Sequence, residues 1–159
     1  MRELKDILCT SSAVSNWVPE HALKAIVMSK LKHLTRTERI SRLELVPDGL
    51  FTLQDKLKRY KIALEVEMTR KSKKRMYRKI EAHLMSKNFD FVFFVLGPKV
   101  PSHFFSSMLD AVLATSPRVR FSEKQNGIYF CELEKLRTEK LGAKFNGKKD
   151  SIRISAFEK

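Results

Sequence analysis

The chain has 159 residues, 43% hydrophobic and 31% charged, which suits one globular domain with a real core and excludes wholesale disorder. Thirty-two Lys and Arg against 18 Asp and Glu leave a formal charge of +14, so the expected partner is a polyanion: nucleic acid first, an anionic membrane surface second. Cys9 and Cys131 are too few for a disulfide framework or a zinc site, no apolar run reaches the ~18 residues of a spanning helix, and "MRELKDILCTSS" lacks a signal-peptide core; a cytoplasmic protein with reduced thiols is expected.

Residues 2–9 predict a short helix with Leu4, Ile7 and Leu8 on one side, followed by a loop over "CTSSAVSN". "WVPEHALKAIVMSKLKHL" predicts a helix with Pro19 in its first turn and an apolar stripe of Leu23, Ile26, Val27, Leu31 and Leu34; "TRTER" ends it. "ISRLELVPDGLFTLQ" reads as a strand pair or bent strand interrupted at Pro47-Asp48-Gly49, and "DKLKR" as a polar turn. "YKIALEVEM" is a strand with Tyr60, Ile62, Leu64 and Val66 on one face and Lys61, Ala63, Glu65 and Glu67 on the other.

"TRKSKKRMYRKIEAHLMSK" predicts a helix with Thr69 as N-cap and a thin stripe of Met76, Ile80 and Leu84. "FDFVFFVL" has the composition of a strand buried on both faces. A helix over "SHFFSSMLDAVLAT" follows, then strand-like "RVRFS" and "GIYFCELEKL" joined by a turn at Asn126-Gly127. The order implies an α/β domain: a mixed central sheet flanked by helices, with strands 60–67 and 89–96 in its middle, a core over 17–135, and a basic, loosely ordered tail over 136–159.

Asp48 at a strand break and Glu65 on the next strand can share one hard cation such as Mg²⁺ or Mn²⁺, which would polarise a phosphoryl oxygen and activate bound water. Each acid also has an ordinary reading, since Pro-Asp is common in turns and alternating Glu is common on a solvated strand face. From Arg70 to Lys79 the chain carries no acid, so this helix shows positive charge on most of its circumference. Arg70, Lys71, Lys73, Lys74, Arg75 and Arg78 are the candidate phosphate contacts, with DNA expected before RNA. No recognition helix, zinc finger or RNA-binding aromatic pair is present, so sequence preference is expected from a second copy of the chain or a separate protein. His21, His33 and His103 lack ligand spacing, and no P-loop or glycine fingerprint occurs.

"VPDGLF" followed by "ALEVEMT" resembles the PD-(D/E)XK nuclease superfamily, whose members carry Pro-Asp on one strand, D/E-x-K on the next, and a helix over the sheet. "WVPEHAL" is similar to the W-x-x-E context in which some members add a glutamate, here Glu20. The resemblance covers residues 17–96 and looks nearest to the replication-relaxation and mobilisation proteins of bacterial plasmids and mobile elements. It implies a restriction-endonuclease-like core, Asp48, Glu65 and Glu20 as metal-binding acids, and Glu67 or Lys79 orienting or deprotonating the attacking water. Glu67 stands where the superfamily has its lysine; in some members that lysine migrates to the following helix, where Lys79 borders the apolar stripe one turn from His83. The resemblance thus implies a Mg²⁺- or Mn²⁺-dependent endodeoxyribonuclease, or a catalytically inactive DNA-binding or scaffold protein on the same fold.

Overall fold

A computed structural model describes residues 2–56, 58–120 and 127–158. In chain order the elements are α1 (Arg2–Leu8), β1 (Val14–Pro19), α2 (Glu20–Lys30), α3 (Arg36–Leu43), β2 (Gly49–Gln54), β3 (Arg59–Thr69) and α4 (Lys73–Leu84). They continue as β4 (Phe91–Lys99), α5 (Ser102–Thr115), α6 (Pro117–Arg120), β5 (Gly127–Glu132), α7 (Leu133–Glu139), β6 (Lys144–Asn146) and β7 (Ser151–Arg153). The strands form one sheet in the order β1-β2-β3-β4-β5-β6-β7. Pairs β3–β4 and β4–β5 are parallel and the rest antiparallel. The architecture is mixed α/β, as expected.

Each parallel pair needs a crossover, and α4 and α5 supply them by returning over the same face of the sheet. Alternation along the strands then builds two cores. Ala63, Val92, Phe94, Leu96 and Ile128 pack beneath Met76, Ile80 and Leu84 of α4 and Phe105, Leu109 and Val112 of α5. On the opposite face Ile62, Leu64, Phe93, Val95 and Cys131 pack with Leu4 and Leu8 of α1, Leu133 and Leu136 of α7, and Phe145 and Ile154. With both faces covered, β4 reads as a continuous apolar run, the signature that "FDFVFFVL" carries.

Several local expectations are corrected. The loop expected over "CTSSAVSN" gives way at Val14 to β1, which pairs with β2 across a one-residue bulge between Ser15 and Val18. Asn16 supplies the left-handed residue of that bulge at φ 54°, a conformation Asn tolerates well. Trp17 therefore sits in a strand, stacked on Phe51 at 6.0 Å, and α2 begins only at Glu20. No α2 residue is fully buried; of the expected stripe, Ile26 is exposed, while Leu23, Val27, Leu31 and Leu34 line an open cleft.

Residues 40–43, expected to be part of a strand, form α3 together with residues 36–39 of the expected break. Thr35 and Glu38 close a capping box: Thr35 Oγ1 accepts from the Glu38 amide at 3.3 Å, and Glu38 Oε2 accepts from the Thr35 amide at 2.9 Å. The N-cap of α4 is Ser72 and not Thr69, which ends β3. Pro117–Arg120 is helical where "RVRFS" suggested a strand, while Phe121, Ser122 and Asn126 lie outside the described residues. The strand expected over "GIYFCELEKL" ends at Glu132 and turns helical in α7. The tail is not loose: β6 and β7 extend the sheet, and Phe145 stacks on Phe93 at 4.6 Å. Among the described residues no helix is long and apolar enough to cross a membrane.

Candidate functional site

The β2–β3 ladder ends at Gly49 opposite Leu64, so Asp48 lies one step beyond the last pair, beside Glu65. Asp48 Oδ2 accepts from the Val66 amide at 2.7 Å, which ties the strand break to β3. The carboxylates of Glu65 and Glu67 point to the α4 face, as their alternation with Ala63 requires. That face is not solvated. Glu65 and Glu67 are 0% and 1% exposed, so the ordinary reading of a polar strand face fails.

Two buried carboxylates side by side need counter-charge, and α4 provides it. Lys79 reaches down from the border of the apolar stripe to Glu67 Oε1 at 2.5 Å and to Glu65 Oε2. The second contact is an ion pair without the alignment of a hydrogen bond, and among the described residues Glu65 Oε2 accepts none. One helical turn on, His83 Nε2 lies 2.6 Å from Glu65 Oε1. An ionised carboxylate can only accept, so this ring nitrogen carries the hydrogen. Packing fixes the imidazole between Phe89 and Phe94, with ring centroids at 5.6 and 5.8 Å. Lys71, just before α4, pairs with Glu67 at 2.7 Å.

The electrostatics follow from this arrangement. Burial works to raise the Glu65 pKa, but the His83 hydrogen bond and the charges of His83 and Lys79 outweigh it and hold the carboxyl below its ordinary value. Burial works against charge on Lys79, yet Glu65 and Glu67 overcome it and push its pKa up, so the ammonium persists. Asp48 goes the other way. Burial, then the negative charge of Glu65, raise its pKa to about 6, against the opposing Val66 amide and Lys79. Burial is the larger cause; the smaller one, repulsion from Glu65, is what a bound cation would relieve.

The residues singled out in the sequence divide into three groups. Asp48, Glu65, Glu67 and Lys79 come together. Glu20 adjoins them through its amide, which donates to the Asp48 carbonyl at 3.1 Å, but its carboxylate is half-exposed and pairs with Lys24 at 2.5 Å. Among the described residues no group of three or more His, Cys, Asp or Glu side chains converges as a metal cage. A cation here would rest on Asp48 and Glu65, with water completing its shell as Mg²⁺ commonly requires. The half-buried Asp48 carboxyl beside Glu65, and a Glu65 Oε2 held only by the Lys79 ion pair, fit that role.

The basic residues separate onto two sides of α4. Lys71, Lys74, Arg75, Arg78 and Lys79 line a cleft of about 920 Å³ that also takes in Glu81 of α4, Ser41 of α3 with Glu44 and Leu45 just after it, and Arg118 of α6. Arg70 and Lys73 face α5 instead, with the Arg70 guanidinium 4.2 Å above the Phe104 ring. The run is also less free of acids than its sequence suggested, since Arg75 meets Glu44 at 3.3 Å and Lys71 meets Glu67. Two contributors lacked a strong sequence signal. His83 stood out in the sequence only as a neighbour one turn from Lys79, with no role assigned; Arg118 had no signal, because only the return of α5 and α6 brings it to the cleft. No protein-family model, curated protein or solved structure matches the chain.

Proposed function

We propose that the protein binds DNA in the basic cleft beside α4 and hydrolyses a phosphodiester bond at Asp48, Glu65 and Lys79, on a core of the PD-(D/E)XK type. The reading is supported above all by Lys79, which comes from the helix after β3 and meets Glu65 and Glu67 at the floor of that cleft. The order of parts agrees with the superfamily: Asp48 opens one strand of a hairpin, Glu65 lies on the next, and α4 follows over the sheet.

In this reading Asp48 and Glu65 would hold a Mg²⁺ or Mn²⁺ ion, which supplies a Lewis acid and lowers the pKa of bound water. Lys79 contributes positive charge where a phosphate becomes more negative during the reaction. His83 fixes the rotamer of Glu65 and so acts as a positioning residue. Lys71, Lys74, Arg75, Arg78 and Arg118 hold the backbone in register without reading bases.

The test is cleavage of supercoiled plasmid and single-stranded DNA with Mg²⁺ or Mn²⁺, alongside Asp48→Asn and Glu65→Gln. Loss of 10²-fold or more in both variants is expected; a wild type no faster than the variants overturns the reading. One observation favours a second reading, a DNA-binding scaffold without hydrolysis. Lys71 and Lys79 already neutralise Glu65 and Glu67 from within the protein. DNA binding that persists with no cleavage under either cation would establish it.

A further inference from the structure

Lys79 belongs to two places at once. Its side chain is only 11% exposed, and its ammonium satisfies the buried carboxylates of Glu65 and Glu67; it is also part of the wall of the basic cleft. Lys71 has the same double membership, pairing with Glu67 while 24% exposed at the cleft. The other charged residues of the cleft are mostly cations, Lys74, Arg75, Arg78 and Arg118, against Glu44 and Glu81. A phosphate backbone that enters it therefore competes with the two glutamates for the same ammonium groups.

Charge balance determines what can happen next. Withdrawing Lys79 toward a phosphate leaves Glu67 with Lys71 alone and Glu65 with His83 alone, short of counter-charge in a buried setting, and bringing a divalent cation to Glu65 crowds it against the Lys79 ammonium. Either event alone is opposed by an under-compensated or repelled buried charge. Together they are not: the lysine pairs with the phosphate, Glu65 pairs with the cation, and Glu67 keeps Lys71.

We infer that Lys79 is an exchangeable counter-charge, so that a phosphate backbone in the α3–α4 cleft and a divalent cation at Asp48 and Glu65 bind cooperatively, each drawing the other in by releasing this lysine. The inference rests on the proposed cation-binding role of Asp48 and Glu65. Linkage makes the effect reciprocal: a cation tightens nucleic-acid binding by the same factor as nucleic acid tightens cation binding. The protein would then hold its carboxylates closed by Lys79 until a substrate arrives.

The experiment uses the full chain and Ca²⁺, a divalent oxygen-seeking cation, titrated by calorimetry with and without a single-stranded oligodeoxynucleotide. Trp17, the sole tryptophan, abuts Gly49 next to Asp48, so its fluorescence gives an independent readout of cation arrival. In the wild type, the oligonucleotide should tighten Ca²⁺ binding roughly tenfold. In Lys79→Gln, Ca²⁺ should bind roughly tenfold tighter without the oligonucleotide, and most of the coupling should vanish. Should that variant fold poorly, the double variant Glu67→Gln with Lys79→Gln removes one charge of each sign and carries the same expectation.

Wild-type affinity indifferent to the oligonucleotide overturns the inference. So does coupling of equal size in the lysine variants, which would be general counterion attraction to DNA. Failure of the parent reading has a different signature: Asp48→Asn and Glu65→Gln would leave Ca²⁺ affinity unchanged, placing the cation elsewhere and removing both proposals.

Discussion

Lys79 and Glu67 meet across the interface between α4 and β3, with Nζ 2.5 Å from Oε1 and both side chains nearly excluded from solvent. A contact of this kind has unequal consequences on its two sides. Removing the cation leaves Glu67 to Lys71 and Glu65 to His83, two buried carboxylates short of counter-charge, and breaking a buried pair typically costs about 3–5 kcal/mol. Lys79→Met should therefore lower stability by about 3 kcal/mol in urea unfolding at pH 7, whereas Glu67→Gln, which leaves Lys79 with Glu65, should cost clearly less. Equal losses would contradict the assigned geometry.

Asp48 gives a pH signature of opposite sign to an ion-paired carboxylate. Its native pKa, raised to about 6, exceeds its ordinary value of 3.8, so the folded chain binds more protons in that window. Stability from this group is then present below pH 4 and lost as pH rises toward 6 and beyond. Asp48→Asn keeps an acceptor for the Val66 amide and removes the loss. In chelator it should be more stable than wild type by about 1 kcal/mol at pH 8, after discounting for partial solvent screening, and no more stable at pH 3.5. Thermal melts at the two pH values decide it.

The division of cations around α4 predicts different salt responses. Arg75→Ala with Arg78→Ala removes two cleft charges, and the slope of log affinity for DNA against log salt should flatten by about 0.9 per lost phosphate contact on a duplex. Arg70→Ala with Lys73→Ala, on the α5 side, should leave the slope nearly unchanged if the backbone runs through the cleft. A larger effect from the second pair would move the DNA to the other flank of the helix.

Phe145 tests whether the basic tail is structural. It is fully buried, stacked on Phe93 at 4.6 Å, and lies on β6. Phe145→Ala should cost about 3–5 kcal/mol. A loose tail would have tolerated the change, so an unaltered denaturation midpoint would contradict the placement of β6.

What could be read from the sequence was whatever depended on local periodicity. Alternation along "YKIALEVEM" put Glu65 and Glu67 on one face, and the helical wheel put Lys79 at the border of its stripe, where its long stem reaches both carboxylates. Periodicity does not say which sheet face a crossover helix covers, so it left open whether those acids meet solvent or α4. It failed also where short segments carry weak patterns. In α3 Ile40 and Leu43 have helical spacing but Leu43 and Leu45 alternate as in a strand, and the informative signal was the Thr35–Glu38 box at the start of the helix. In β1 the bulge at Asn16 broke the alternation that identifies a strand. The three-residue strands β6 and β7 are too short to carry a period at all and are held by long-range packing of Phe145 and Ile154.

The hairpin of α2 and α3 leaves the sheet at Pro19 and re-enters at Gly49, two residues paired with each other in the β1–β2 ladder. An excursion that starts and ends at one rung is a detachable module: the sheet closes beneath it without its help, and no residue of either helix is fully buried. Yet α3 contributes one wall of the basic cleft, and the acids at the module's two junctions, Glu20 and Asp48, adjoin through the Glu20 amide. The width of the groove can thus change across evolution, or by design, through this module alone while the Glu65–Lys79 floor stays as it is.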